Sequence, residues 1–541
     1  MSHLENAKLV DFWLRAMIAW YLTDGPLITL LSREDTGCMV FCSRTYMDLN
    51  LKVIFGMKLK KFREQAGLSL TDFGQKTGLS TSYLTEIEHG KKYPKAEKIA
   101  RLAEVLGKSY DDLVSIRLDE GLSPLAGFLS SPVLHNFPYH LFGISPAEVV
   151  DLMTRQPVEA SALVNALVGI AEQYNIGVEH LFRSALRSYQ ELHENFFPDI
   201  EREVDEFATA SSLPAMPTPD YGTLRRLIKD KFNYRLDENQ LKDHPKLMRF
   251  RSVLLPKNKQ SPLLLINPAL TDRQKKFILA REIGYNVLGI KARAMTSAPE
   301  RVDSFEQVLG DFRASYFAGA LLINREMLIR DMGELFASNR WQPSLFFSYL
   351  GRYEITPEIF MYRLTEILPR YFGFKLHFLR FNKEGPRFRL VKHLNMSQVL
   401  IPSGIGLDEH YCRRWLAIRI LQKLEDKRKG DDKLTEPIVD AQLSSFVDSQ
   451  TSFLCVGMAR RLALNPAAGT SVSLGFRYDD VLKRTIAFAD DPAITRLGIN
   501  GTCERCRLTA DECQDRAVEP GLLELEMERI EIERELSSLK A

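Results

Sequence analysis

The sequence predicts a mainly α protein whose C-terminal half is α+β, and three observations carry that expectation. Between Met57 and Arg101 apolar residues recur at three- and four-residue spacings in short blocks cut by glycine and proline, as small packed helices require. From Leu122 to Ala210 the pattern is helical almost throughout, with an apolar face in Ala147–Met153, Glu159–Tyr174, Val178–Phe196 and Asp199–Phe207. Beyond Lys375 the apolar residues begin to alternate, as strands do.

With 541 residues the chain has room for about three or four domains, each able to bury a core. Hydrophobic residues at 45% and charged residues at 26% exclude disordered and fibrous classes. No apolar run approaches the roughly 20 residues that span a bilayer, so no membrane partner is expected. Seven cysteines, odd in number and unevenly spread, do not form a disulfide framework and suit a reducing cytoplasm.

Residues 1–46 carry apolar clusters at Phe12–Leu22 and Pro26–Leu31, without the basic start, long apolar core and small-residue cleavage site of a signal peptide. Met47 lies just ahead of LNLKVIFGMKLKKFRE. The extension is therefore expected to be an over-called translation start or a short packed appendage.

Residues 47–116 read as a helix-turn-helix bundle. Ser69 caps a second helix with Asp72 three residues on, Gly78 and Leu79 make the turn, and Ser80 caps a third helix ending at Gly90. This arrangement offers the third helix to the DNA major groove. Its outward face near the start carries Thr81, Ser82, Tyr83, Thr85 and Glu86, groups suited to base edges and thymine methyls, while Lys91 and Lys92 follow for phosphates. From Met57 to Arg101 ten Lys or Arg stand against five Asp or Glu, a local excess of +5 in a chain whose total is +2. Attraction to double-stranded DNA has one address.

Residues 117–210 are expected to be a helical spacer or dimerisation bundle, and residues 211–219, SSLPAMPTP, a linker. Residues 220–381 form the next domain, in which Pro357 to Phe381 reads as a helix feeding a strand. Residues 382–520 read as a mixed α/β domain, with strand-like runs at Ser397–Ile401, Phe446–Met458, Ser471–Phe476 and Thr485–Phe488, and a helix over Glu409–Leu424. Cys503, Cys506 and Cys513 stand in C-x2-C-x6-C spacing, one ligand short of a tetrahedral sulfur site. Cys412 is the candidate fourth ligand and Cys455, in an apolar strand pattern, the runner-up. The spacing leaves zinc, an iron–sulfur cluster, a redox thiol pair and plain reduced cysteines as alternatives. Residues 521–541 form an amphipathic helix, fewer than three heptads long, packing on its own protein or pairing with a partner.

Two resemblances refine this reading. The stretch Met57–Arg101 resembles the Cro and phage-repressor-like helix-turn-helix family, with Leu70 and Gly74 replacing that family's usual Gln-x-x-x-Ala. Thr271–Ile290, TDRQKKFILAREIGYNVLGI, resembles the metal-binding helix of ImmA/IrrE-like metallopeptidases, which place His-Glu-x-x-His there so that two imidazoles meet one zinc. Here the motif reads Arg281-Glu282-Ile283-Gly284-Tyr285. Arginine does not ligate zinc at ordinary pH, and Glu282 alone has no metal hydroxide to make. Asp311–Ile323 resembles the helix of the third ligand, without a clear glutamate. A degenerate zincin-like domain with no catalytic residue is the expectation.

The order of parts, with RSYQELHENFFPDIEREVDEF (Arg187–Phe207), SYFAGALLI (Ser315–Ile323), Cys412-x-x-Trp415 and the cysteine tail, resembles the short-chain fatty-acyl transcriptional regulator family. That resemblance implies a dimeric cytoplasmic regulator of acyl-CoA or short-chain carbon metabolism genes, with an acyl-CoA effector. Two alternatives stand beside it: a metallopeptidase that cleaves a partner repressor, and an antitoxin-like regulator acting by protein contacts.

Overall fold

The computed structural model describes residues 51–52, 54–115, 138–143, 178–214, 218–256, 261–297, 302–397, 409–430, 436–449 and 451–538. The expectations for residues 1–46, for the helical runs Ala147–Met153 and Glu159–Tyr174, and for a strand over residues 398–401 lie outside the described residues. The chain divides into two units, one holding the N-terminal described helices and the other everything from residue 170 onward together with residues 136–143.

Among the described residues the first unit holds five helices: α1 over residues 54–65, α2 (Leu70–Thr77), α3 (Thr81–Glu88), α4 (Ala96–Leu106) and α5 (Tyr110–Val114). Local chemistry sets each boundary. Ser69 and Asp72 form the reciprocal capping box of α2, which Gly78 ends in the left-handed conformation at φ 66°. The Ser80 hydroxyl accepts from the Tyr83 amide to start α3, and Ser109 with Asp112 caps α5 in the same way as α2. Phe55, Leu59, Phe73, Leu84, Ile87 and Leu102 fill the centre. Arg63 on α1 donates to both carboxylate oxygens of Glu88 on α3, at 2.6 and 3.0 Å, and both side chains are buried. Gly74 is required by packing: a Cβ there would stand 2.8 Å from the Leu79 carbonyl oxygen.

In the second unit, α6 (Val178–Leu192) and α7 (Pro198–Ala210) precede α8 (Tyr221–Phe232) and a three-stranded sheet of β1 (Arg235–Asp237), β2 (Ser252–Leu255) and β3 (Leu263–Ile266) in the order β1-β3-β2. The helices α9 (Asp272–Val287), α10 (Phe305–Leu322), α11 (Arg325–Ala337), α12 (Pro343–Arg352) and α13 (Pro357–Phe372) follow. A six-stranded sheet then runs β5-β4-β8-β7-β6-β9, built from β4 (Leu376–Glu384), β5 (Arg387–Asn395), β6 (Ile438–Phe446), β7 (Ser452–Leu462), β8 (Asn465–Arg477) and β9 (Thr495–Ile499). All neighbours are antiparallel except β6 and β9. Helices α14 (Leu416–Gly430), α15 (Asp480–Thr485) and α16 (Gly521–Ser538) complete the unit.

Both faces of the larger sheet are covered, so alternate residues of one strand enter different cores. Leu376 and Phe378 join Val456 and Leu474 against Phe360, Leu364 and Ile367 of α13. Leu379 and Phe381 join Phe453 and Cys455 against Leu416, Ile420 and Leu421 of α14. The core shared with α13 also takes in α7, α9 and α10 through Ile200, Val204, Ile283 and Phe317.

The observed structure alters five expectations. The segment from Val178 to Ala210 is no free spacer, because α7 docks through Glu201, which accepts from Arg363 at 2.6 and 3.0 Å in the interior. In the supposed linker, Leu213 packs on the same core and Thr218 is buried, receiving a hydrogen bond from Lys276 and donating to the Tyr353 carbonyl. Residues 381 and 382 fall inside β4, so the expected boundary there cuts through one strand. Thr485–Phe488 is no strand: Asp479 caps α15, and Ile486 and Phe488 then enter the core as single anchors. The expected helix from Glu409 begins only at Leu416, because residues 410–412 bond to the loop at 501–503.

Candidate nucleic-acid interface

Helix α3 places Thr81 and Ser82 fully at the surface of its first turn, with Tyr83, Thr85 and Glu86 half-buried behind them and Lys91 and Lys92 exposed after its end. The Thr85 hydroxyl donates to the Thr81 carbonyl at 2.8 Å. Glu86 pairs with Lys92 at 2.6 Å, both ends in solvent, a contact that salt or a phosphate displaces readily. The Tyr83 ring lies under two ammonium groups, Lys98 Nζ at 4.1 Å and Lys92 Nζ at 5.7 Å from its centre. Lys98, on α4, was missed by sequence reasoning as a site residue, and its only signal was the basic tally itself.

Three of the ten cations in this stretch work inside the fold. Lys58 donates to the carbonyls of Asp112 and Ser115, Arg63 holds Glu88, and Arg101 donates to the Thr77 carbonyl at the end of α2. The outward cations near α3 are Lys91, Lys92, Lys95 and the half-exposed Lys98. The arrangement offers short polar groups toward base edges, flanked by cations at phosphate positions.

In the second unit, Arg281 and Tyr285 sit one turn apart on α9 and both donate to Asp311 Oδ1 on α10, at 3.1 Å each. Asp311 is the first residue of the stretch that resembles the third-ligand helix. Burial, reinforced by Asp311, pushes the Tyr285 phenol well above its usual range. Glu282 is buried and accepts from Arg293 Nη2 at 2.6 Å through both oxygens, with Tyr234 donating at 3.3 Å. The Arg293 guanidinium also covers the Tyr285 ring at 4.0 Å. Burial alone would lower the Arg293 pKa; Glu282 more than offsets it and the shift is upward. Both acids of this cleft therefore face arginines.

Cys412, Cys503, Cys506 and Cys513 are all free and buried. The Cys412 amide donates to the Gly501 carbonyl and the Cys503 amide to the His410 carbonyl, which lays the two loops side by side. Burial pushes Cys412 up to about 12, and the neighbouring Cys503 and Cys506 add to the shift. Burial likewise raises Cys506, with Cys513 and Cys503 contributing. The thiols are neighbours, yet among the described residues no three His, Cys, Asp or Glu side chains are arranged to hold an ion. Cys455 lies in β7 as part of the core.

The fold and surface of the first unit define a helix-turn-helix DNA-binding protein, and comparison with known proteins gives the relationship. The helix-turn-helix family matches residues 59–113, and the IrrE N-terminal-like domain family matches residues 239–365. An uncharacterized HTH-type transcriptional regulator of Bacillus subtilis (strain 168), YazB, is 38% identical over 60 residues, spanning 11% of this chain and 87% of that protein. A solved Mycobacterium tuberculosis transcriptional regulator aligns with a TM-score of 0.43 and 19% identity, over 61% of this chain and 92% of that one. The chain belongs, through its N-terminal unit, to the family of helix-turn-helix transcriptional regulators. It carries an IrrE-like domain in addition. Among the described residues no helix is long and apolar enough to cross a membrane.

Proposed function

We propose that the chain is a sequence-specific transcriptional regulator that binds operator DNA as a homodimer and changes its affinity when a small ligand occupies the C-terminal half. The observation that carries this reading is the exposed first turn of α3, with Thr81 and Ser82 outward and Lys91, Lys92 and Lys98 around it. One such helix per subunit enters a major groove, and two-fold symmetry doubles the half-site. Pairing is assigned to α16, which presents Leu525, Met527 and Ile532 more than half exposed instead of packing them back on its own chain. The effector is assigned to the acyl-CoA class and the targets to short-chain carbon metabolism, as the resemblance to the short-chain fatty-acyl transcriptional regulator family implies. A ligand acts only through a difference in affinity between the DNA-competent and DNA-incompetent arrangements.

Fluorescence anisotropy of the full chain on genomic fragments tests the reading. Saturable, sequence-selective binding that shifts with an acyl-CoA is expected. Equal affinity for all sequences refutes the regulator, and an operator affinity indifferent to every acyl-CoA refutes the effector.

The Arg281, Tyr285 and Asp311 triangle argues against the metallopeptidase alternative, because a guanidinium occupies the register where an imidazole would face zinc. Stoichiometric zinc bound at Asp311 in the unaltered protein would reverse that conclusion. A soft-ligand site for zinc or an iron–sulfur cluster at Cys412, Cys503, Cys506 and Cys513 is a separate proposal. It requires the thiols to rotate toward one another and lose protons, and metal content of anaerobically purified protein against a Cys503→Ser, Cys506→Ser variant decides it.

A further inference from the structure

The sheet face that packs on α13 changes character at one end. Arg380 on β4 lies directly opposite Lys392 on β5 and Val472 on β8, and Val472 lies opposite Met458 on β7. Phe378, Leu394, Met458 and Val472 belong to the core on that face, so the two-residue period puts Arg380, Lys392 and Arg460 on the same side. Beyond the last apolar row the face is cationic.

Two further cations, Arg251 and Arg281, and two carboxylates, Glu358 and Asp311, stand against this strip. Arg460 grips Glu358, at the start of α13, through Nε at 3.0 Å and Nη2 at 3.0 Å. Lys392 Nζ stands 3.6 Å from the centre of the Tyr362 ring, one turn further along α13. Arg251, immediately before β2, lies within electrostatic reach of Arg380, Glu358, Arg460 and Arg281, and Lys392 within reach of Arg380 and Asp311. Five cations thus meet two carboxylates, Glu358 and Asp311. Glu366, which burial pushes up to about 8, also acts on Lys392 but is turned to Arg363, which donates to it at 2.8 Å.

Three of the five are uncommitted. Arg251, Arg380 and Lys392 form no ion pair with any described residue, and Arg380 makes only a 3.5 Å hydrogen bond from Nε to Thr470. Arg281 has a buried Nε without a partner. Arg251 and Lys392 keep open surface, yet burial by surrounding protein pushes Arg251 down to about 10 and Lys392 down to about 8. A side chain that water touches while protein encloses it stands in a recess, not on a convex surface. Like charges gathered in such a recess repel one another strongly, because the screening of bulk water is reduced.

The geometry points to a recessed binding site for a small anion of the phosphate-ester or pyrophosphate type, gripped by Arg251, Arg380 and Lys392 and walled by Arg281 and Arg460. Guanidinium forks match the paired oxygens of a phosphoryl group, and the ammonium supplies a mobile point charge. The assignment deepens the regulator reading by locating the entry of an anionic effector, and rests on that reading only for its consequence at DNA.

Calorimetric titration of the full chain with inorganic pyrophosphate and, separately, orthophosphate tests it, alongside Lys392→Met and Arg380→Gln. Expected are saturable pyrophosphate binding at least tenfold tighter than orthophosphate and at least a tenfold loss in each variant. Without anion, each variant should melt at the same or a higher temperature than the parent, since a repelling charge has gone. No saturable heat, an unchanged affinity in both variants, or a marked fall in melting temperature in both would overturn the site. Loss of binding in a Lys91→Ala, Lys92→Ala variant, with both recess variants unaffected, would overturn it in favour of the DNA-facing surface. If operator DNA is never bound while pyrophosphate still is, the regulator reading fails and the anion site stands.

Discussion

The two units place surplus positive charge in opposite locations. In the first, buried cations are matched, Arg63 by Glu88 and Lys58 by two carbonyls, and the unmatched lysines face outward around α3. In the second, the enclosed Arg363 is matched by Glu201, while Arg251, Arg380 and Lys392, which form no ion pair with a described residue, are gathered in a recess at one end of the larger sheet. Surface charge is cheap to keep and meets a long polyanion by diffusion. Enclosed charge is costly to keep and selects a ligand small enough to enter. The difference is the one expected if the first unit meets DNA and the second, as proposed above, takes a small anion.

The comparison is broken most severely at Glu201. It accepts from Arg363, Tyr316 and Arg325, and its carboxyl is held below the usual range because those partners together outweigh burial. Glu201→Gln leaves the fully enclosed Arg363 with only Glu366 and should destabilise the second unit by about 3–5 kcal/mol. In a Trp13→Phe, Trp20→Phe background Trp341 and Trp415 are the remaining tryptophans and report that unit, so denaturant unfolding followed by fluorescence should show an earlier transition. The far-ultraviolet signal assigned to the first unit should keep its midpoint.

A second test of that unit uses pH. His377 on β4 is buried, packs on the Phe453 ring at 4.8 Å between centres, and has no partner for Nδ1. Burial pushes it down to about 3. Its folded pKa lies below the ordinary 6.5 of an unfolded chain, so above about 6.5 the group contributes no pH dependence, and stability is lost as pH falls from there toward about 3. His377→Phe should flatten the slope of melting temperature against pH in that window. An unchanged slope would mean that the ring is not held neutral.

In the first unit the sharper probe is Gly74→Ala. The new Cβ would meet the Leu79 carbonyl oxygen, a backbone atom, so the turn between α2 and α3 has to open. The expected loss is about 1–3 kcal/mol, the range for overpacking, seen as a lower helical melting temperature and weaker DNA binding. An unaltered melt would show that this turn tolerates the alanine usual in similar helices.

What the sequence disclosed follows the same division. The caps of α2 and α3 were legible because Ser69, Asp72, Gly78 and Ser80 act on neighbours three or four residues away. The fate of α7 was not, since Glu201 and Arg363 are 162 positions apart and periodicity says only that α7 has an apolar face, not what covers it. The register of β4 with β5 brings Arg380 to Lys392, and no local pattern states a register. The substitutions at Arg281 and Tyr285 were plain in the sequence as departures from a metal motif, but their meeting at Asp311 needed α9 and α10 in place. Cys412, expected as a fourth ligand, lies within electrostatic reach of Cys503 and Cys506, and the spacing could not tell that burial raises its thiol pKa.

The smallest expected effect lies at the outer cations and discriminates most finely. Lys91 and Lys92 are exposed, and Lys92 is engaged only by the solvent-facing Glu86, so their removal should leave stability within about 0.5 kcal/mol. If they neutralise phosphates, each releases counterions on binding, and Lys91→Ala with Lys92→Ala should lower DNA affinity by a similar factor for every sequence. The slope of log affinity against log salt should become shallower by about 1 for each lysine removed. Thr81→Ala or Ser82→Ala should do the converse, leaving the slope intact while reordering preferred sequences. Were Lys91 and Lys92 to change sequence preference and Ser82 the salt slope, α3 would lie in the groove in another orientation, with its C-terminal end inward. The assignment of its first turn to base edges would then be wrong even though the fold is right.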